Sequence, residues 1–118
     1  MVKYDVENEK EYETANINEL SSPIATGLQF PTGLDYYYDT TREWLFVSET
    51  LGNKIRKINL TTPSVISTVV GDGDDEICNN TAKFCKLNMP TGLFADDSTQ
   101  ELYIADSGNN RILKMKDP

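Results

Sequence analysis

Phe30-Pro31-Thr32-Gly33-Leu34 recurs as Met89-Pro90-Thr91-Gly92-Leu93, with four of the five positions identical at an offset of 59 (89 − 30). A second block follows each copy. Residues 45–58 read LFVSETLGNKIRKI and residues 102–115 read LYIADSGNNRILKM, now at an offset of 57 (102 − 45). Four of those fourteen positions are identical, and seven more are same-class exchanges. An internal repeat of this kind means one supersecondary unit used more than once, each copy burying its apolar face on the next. The drop from 59 to 57 places two extra residues between the blocks of the first copy, where a surface hairpin tolerates variation. A fainter match, Lys3-Tyr4-Asp5-Val6 against Lys57-Ile58-Asn59-Leu60, extends the pattern backwards.

Each copy reads as short strands between tight turns. In the first, Pro31 opens a strand over 32–37, since proline is tolerated at a strand's first residue. A polar turn at 39–43 leads to 44–48, rich in aromatic and β-branched residues. Gly52-Asn53 signals the next turn. Residues 54–58 make a third strand and 65–70 a fourth. The second copy predicts strands at 91–95, 101–105 and 111–115, with a turn at Ser107-Gly108-Asn109-Asn110. A helical reading fails because apolar residues do not recur at three-and-four spacing and Gly or Pro interrupts every long window.

These residues resemble a known family. Pro-Thr-Gly-Leu, a strand, then Leu102-Tyr103-Ile104-Ala105-Asp106-Ser107-Gly108-Asn109-Asn110-Arg111-Ile112 is similar to the NHL repeat. The resemblance covers residues 30–118 and implies an all-β fold of β-propeller blades, each of four antiparallel strands, with about two blades here. In the family such blades usually stand six around a central channel, the Pro-Thr-Gly-Leu strand innermost. The expected division is an acidic N-terminal segment, 1–29, supplying the outer strand or strands of a partial blade. The first repeat follows at 30–88 with a long Cys-containing connection, and an incomplete second repeat at 89–118. The expected structural and turn residues are Pro31, Gly33, Glu49, Asn53, Pro90, Gly92, Asp106, Gly108, Asn109, Asn110 and Arg111. Glu49 and Leu51-Gly52-Asn53 depart from the family's preferred Asp and Gly-Asn-Asn. The mid-blade start and stop suggest either a piece of a longer propeller or a unit that completes a ring with copies of itself, three copies closing six blades.

Composition narrows the chemistry. The 118 residues carry 11 basic and 19 acidic side chains, a net charge of −8, and no histidine. So acidic a surface repels phosphate backbones and disfavours nucleic acid as a partner. Without histidine the chain cannot supply a Ser-His-Asp triad, a Cys-His pair or a His-ligated zinc site. No apolar run is long enough for membrane insertion. The first twenty residues lack a signal-peptide core, so an export signal would lie outside this chain. Cys78 and Cys85 are read first as a local disulfide, with paired buried thiols or a redox or metal role as the alternatives. A disulfide points to an exported or cell-surface location. Asn59-Leu60-Thr61 and Asn79-Asn80-Thr81 are glycosylation triplets in a host that glycosylates.

Candidate sites each have a plain counterpart. Glu49 and Asp106 close the second strand of each copy, either as ligand or metal contacts or as turn caps. Asn53, Asn109 and Asn110 tolerate left-handed turn geometry. Asp72, Asp74, Asp75 and Glu76 form the sharpest acidic cluster, an oxygen set for calcium or a solvated loop. No other cofactor is indicated. Tyr36, Tyr37, Tyr38 and Trp44 serve either blade-to-blade contact or recognition. Arg42, Arg56 and Arg111 read as surface ion pairs. The expectation is a non-enzymatic binding or scaffold module whose partner is a protein or a copy of itself. A self-assembling ring or filament subunit and a piece of a metal-dependent propeller hydrolase or lyase are the alternatives.

Overall fold

Alternation of apolar and polar side chains builds two multi-stranded antiparallel sheets, beside a short two-stranded pair. The computed structural model describes residues 4–5, 10–11, 22–62, 65–72, 78 and 82–118. The strands are β1 (Tyr4–Asp5), β2 (Lys10–Glu11), β3 (Pro31–Tyr38), β4 (Glu43–Glu49), β5 (Lys54–Asn59), β6 (Ile66–Val70), β7 (Leu93–Asp96), β8 (Glu101–Asp106) and β9 (Arg111–Lys116). Order β3-β4-β5-β6 forms a four-stranded blade and order β7-β8-β9 a three-stranded one. β1 and β2 pair with each other. No α-helix occurs among the described residues, which carry only short 3-10 turns at Ala82–Phe84 and Ser107–Asn109. The chain is all-β, and its blades are of the propeller kind.

The two hairpins explain the change of offset. Leu34 pairs Val47 in the first blade, and Leu93 pairs Ile104 in the second. Both inner hairpins then turn through four residues, 39–42 and 97–100. The two extra residues of the first copy form one added rung, Tyr38 opposite Glu43, and do not enlarge the loop. Asx turns close both hairpins. The Asp39 carboxylate accepts the Thr41 and Arg42 N–H groups at 3.0 and 2.7 Å, and Asp96 accepts the Ser98 N–H at 3.0 Å. Asn53 (φ 58°) and Asn110 (φ 55°) take matching left-handed positions at the next turn, where asparagine is among the few residues that adopt that region readily.

The period of two assigns faces. Tyr37, Trp44, Phe46 and Ile55 lie on the face of the first blade that meets the second. Leu93, Ala95, Leu102, Ile104, Leu113 and Met115 form the opposing face of the second blade. Phe46, Ile55 and Leu102 have no exposed surface, and Tyr37 sits 5.2 Å from the Phe46 ring. Hydrogen bonds seal the seam. Ala95 N–H donates to Asp35 Oδ2 at 2.6 Å, and Ser48 Oγ donates to the Thr91 carbonyl at 2.6 Å. Tyr37 OH donates to Gln100 Oε1 at 2.7 Å, and Thr50 Oγ1 to the Pro90 carbonyl at 2.8 Å. Of the four candidate aromatics, Tyr37 and Trp44 are buried while Tyr36 and Tyr38 stay exposed.

Candidate functional site

The turn ends of the two blades carry the most polar constellation. Asp106, at the end of β8, is fully buried. Its Oδ1 accepts the Asn88 N–H at 2.7 Å, and its Oδ2 accepts Arg111 Nε at 2.7 Å and Asn109 Nδ2 at 2.8 Å. Glu49 repeats this one blade earlier. It is 3% exposed, accepting the Gln29 N–H on Oε1 at 2.9 Å and Arg56 Nη1 on Oε2 at 3.0 Å. Gln29 and Asn88 stand 59 apart (88 − 29), so the wiring obeys the repeat offset. The returning bonds match as well: Leu51 N–H donates to the Gln29 carbonyl and Gly108 N–H to that of Asn88.

Both carboxylates therefore tie the connector entering a blade to the turn after its second strand. Beside the local donors Arg56, Asn109 and Arg111, each carboxylate takes a backbone N–H from about twenty residues upstream, which a purely local turn cap does not. The Arg56 and Arg111 pairs are correspondingly not surface ion pairs, since their acidic partners are buried. A carboxylate in this setting is held by charge-assisted hydrogen bonds. Asn53 Oδ1 accepts the Met89 N–H at 2.8 Å and joins the connector to the first blade. Around these groups Asn53, Lys86, Leu87, Asn88, Asn109 and Arg111 line a cleft of about 600 Å³ between the blades.

The other sequence candidates fall elsewhere. Pro31 opens β3, and Pro90 is buried. A Cβ on Gly33 would run into the Thr91 carbonyl oxygen across the seam, whereas one on Gly92 would meet only Ala105 Cβ at 3.8 Å. Gly108 lies against Asn88. Cys78 and Cys85 form a disulfide, and Cys85 joins the interblade core. Of the acidic run, Asp72 is exposed and sits 3.5 Å from Lys54. Asp74, Asp75 and Glu76 lie outside the described residues, as does Asn79. Among the described residues no group of three or more acidic or cysteine side chains could hold a metal ion. Asn59 Oδ1 accepts the Thr61 and Thr62 N–H groups at 2.8 and 3.2 Å. At the hairpin, burial pushes the Asp39 carboxyl upward. Donors from Thr41, Trp44 and Arg42 outweigh it and hold the group well below the usual carboxylate range.

The family model of the NHL repeat matches residues 87–115, which run from the connector through β9. Those residues are an NHL repeat. The chain is also 29% identical over 93 residues, 78% of its length, to NHL repeat-containing protein 2 of Homo sapiens. Two solved structures share the fold. One, a Bacteroides thetaiotaomicron protein provisionally named a phosphatase, has a TM-score of 0.63 at 14% identity over 98% of the chain. The other, an auxiliary nutrient binding protein of Bacteroides ovatus, has a TM-score of 0.61 at 19% identity over 96% of the chain. The chain spans 12% of the human relative and 29% and 31% of these structures. Among its described residues no helix is long and apolar enough to cross a membrane.

Proposed function

We propose that this NHL chain is a non-enzymatic binding or scaffold module of an exported or cell-surface protein, and that it takes its ligand at the interblade cleft. The fate of Glu49 and Asp106 carries this reading. Both are buried and bonded to backbone N–H and guanidinium donors. A general base needs a free lone pair within reach of a substrate proton. These carboxylates instead spend their oxygens on holding the turns. The cleft is lined by Asn53, Lys86, Asn88 and Asn109, residue types that hydrogen-bond neutral polar ligands such as glycans or peptide backbone. The disulfide supports an oxidising compartment.

The test is amide chemical-shift mapping with neutral oligosaccharides and short peptides, beside turnover assays on phosphate and carboxylic esters with and without Ca²⁺. Expected are saturable shifts at Asn53, Asn88 and Asn109 and no turnover. Turnover that depends on added metal would overturn the proposal in favour of a hydrolase.

A further inference from the structure

The Cys78–Cys85 bridge is tied to the wall of the interblade cleft in two ways. The first tie is covalent. Cys85 is followed directly by Lys86, Leu87 and Asn88, three residues that line the cleft. The second is a guanidinium. Arg111 Nη2 donates to Cys78 Sγ at 3.4 Å and to the Lys86 carbonyl at 3.0 Å, while Nε of the same side chain donates to Asp106. Asp106 in turn holds the Asn88 N–H and the Asn109 side chain, both at the cleft. One cation thus joins a sulfur of the bridge to the carboxylate that orders the cleft wall.

The two sulfurs sit in unlike surroundings. Cys85 is 2% exposed and shares the interblade cluster with Val70, Leu87 and Ile104. Cys78 is partly exposed and takes a left-handed backbone conformation (φ 62°), a region uncommon for residues with a Cβ. Both cysteines also line a second cavity of about 500 Å³, together with Val69, Ala82, Leu113 and Met115. That cavity shares no described lining residue with the cleft, so a small reductant can reach the bridge without entering the ligand site. A disulfide sulfur is a weak, uncharged acceptor, whereas a thiolate carries a full charge that a neighbouring guanidinium favours. Opening the bridge therefore changes the charge that Arg111 meets.

We infer that the bridge is a thiol-operated switch on the interblade cleft: a dithiol reductant opens it and thereby loosens the wall formed by Lys86, Asn88 and Asn109. A thiolate of the reductant attacks Cys78 Sγ, the more exposed sulfur, and the Sγ–Sγ bond breaks with its electron pair passing to Cys85. Cys85, in apolar surroundings, takes a proton and stays a thiol. The reductant's second thiolate then attacks the reductant sulfur of the mixed disulfide, and Cys78 leaves as a thiolate beside Arg111. Two electrons pass to the bridge and the dithiol becomes a disulfide. Of its two protons, one ends on Cys85 and the other goes to solvent. The new anion competes with Asp106 for the guanidinium, and the Lys86–Asn88 stretch loses its covalent tether. The switch rests on the cleft reading for its consequence, weaker ligand capture, but the change in the wall is read without any ligand.

The test compares the full 118-residue chain oxidised and reduced with dithiothreitol. Iodoacetamide labelling of the reduced chain at pH 7, mapped by mass spectrometry, should modify Cys78 about threefold or more faster than glutathione, and Cys85 more slowly than glutathione. Hydrogen exchange of the Asn88 N–H, followed by nuclear magnetic resonance, should speed up about tenfold on reduction. The Arg111 Nε–H resonance should move with it. In a Cys78→Ser, Cys85→Ala variant neither signal should respond to dithiothreitol. Circular dichroism verifies that the reduced chain is folded. Cys78 labelled no faster than glutathione overturns the inference. So does an Asn88 N–H that exchanges equally in both states, or a reduced chain that unfolds outright. A cleft that binds none of the oligosaccharides and peptides above would refute the ligand reading and leave these readouts to decide the switch.

Discussion

Asp106 accepts three hydrogen bonds from a fully buried position, so removing its carboxylate takes the acceptor from Arg111 Nε, Asn109 Nδ2 and the Asn88 N–H together, while Arg111 Nη2 keeps the Lys86 carbonyl at 3.0 Å. Breaking one side of a buried pair typically costs about 3–5 kcal/mol. Arg111 keeps 28% side-chain exposure, which lets water compensate in part, so Asp106→Ala should cost about 3 kcal/mol, read as a lower urea midpoint at neutral pH. A loss under about 1 kcal/mol would place the pair with exposed ones. Asp39 supplies the pH dependence. Its folded carboxyl is depressed, so its contribution is complete above the unfolded value of about 3.9 and drains away as pH falls through the lower folded value. The stability gap between wild type and Asp39→Asn should stay level above about pH 5 and shrink in more acidic solution, measured by urea titration at a series of pH values. At this scale the sequence displayed the acceptors and hid the donors. Glu49 and Asp106 stand out beside their turns, but Gln29 and Asn88 donate through backbone N–H groups that every residue type except proline carries. Only their spacing of 59 marks them as a pair.

Strand ends shifted little between sequence and structure because β-branched and aromatic runs such as 44–48 leave few alternatives to a half-buried strand. The exception is the first strand of each blade. β3 runs through Tyr38 and gains a rung, while β7 starts only at Leu93, two residues later than its Thr91 start in the sequence reading. Hairpin length depends on which residues pair, which local propensity does not encode. The connection between blades is held by a different device. Cys78 and Cys85 close a loop seven residues apart, and Cys85 lies 2% exposed in the interblade core. Closing so short a loop restricts the unfolded chain by about 2–3 kcal/mol in the chain-entropy account. Reductant should therefore lower the melting temperature of the wild type, and it should leave a Cys78→Ser, Cys85→Ala double variant unaffected. Equal melting of reduced and oxidised wild type would mean that the bridge contributes nothing to the folded chain. The two cysteines were legible as a pair from their spacing, but the burial of Cys85 was not, because it follows from the way the connection folds under the second blade.

Across the whole molecule, the repeat made the blades legible, since only a shared seam gives two short apolar sheets somewhere to hide. The partners within that seam were less so: Tyr37 reaches Gln100 and Asp35 reaches Ala95 across about sixty positions of sequence. Those cross-blade contacts decide how the chain unfolds. Phe46 and Ile55 from the first blade share one buried cluster with Leu102 and Ile104 from the second, so neither sheet can open without exposing the other's apolar face. Repeat arrays uncouple when the interface between units is weak relative to each unit. Here a three-stranded blade with one face open depends on that interface for most of its burial. Phe46→Ala, which removes a fully buried ring from the seam, should cost about 3–5 kcal/mol. Its effect should fall on both blades at once. Trp44 fluorescence reports on the first blade at its seam with the second, and far-ultraviolet circular dichroism reports on both blades throughout. In wild type and in Phe46→Ala the two signals should trace one coincident urea transition, shifted to lower denaturant in the variant. A fluorescence transition that separates from the dichroism curve would show that the four-stranded blade stands without its neighbour, and the seam would then be a contact between independently stable units.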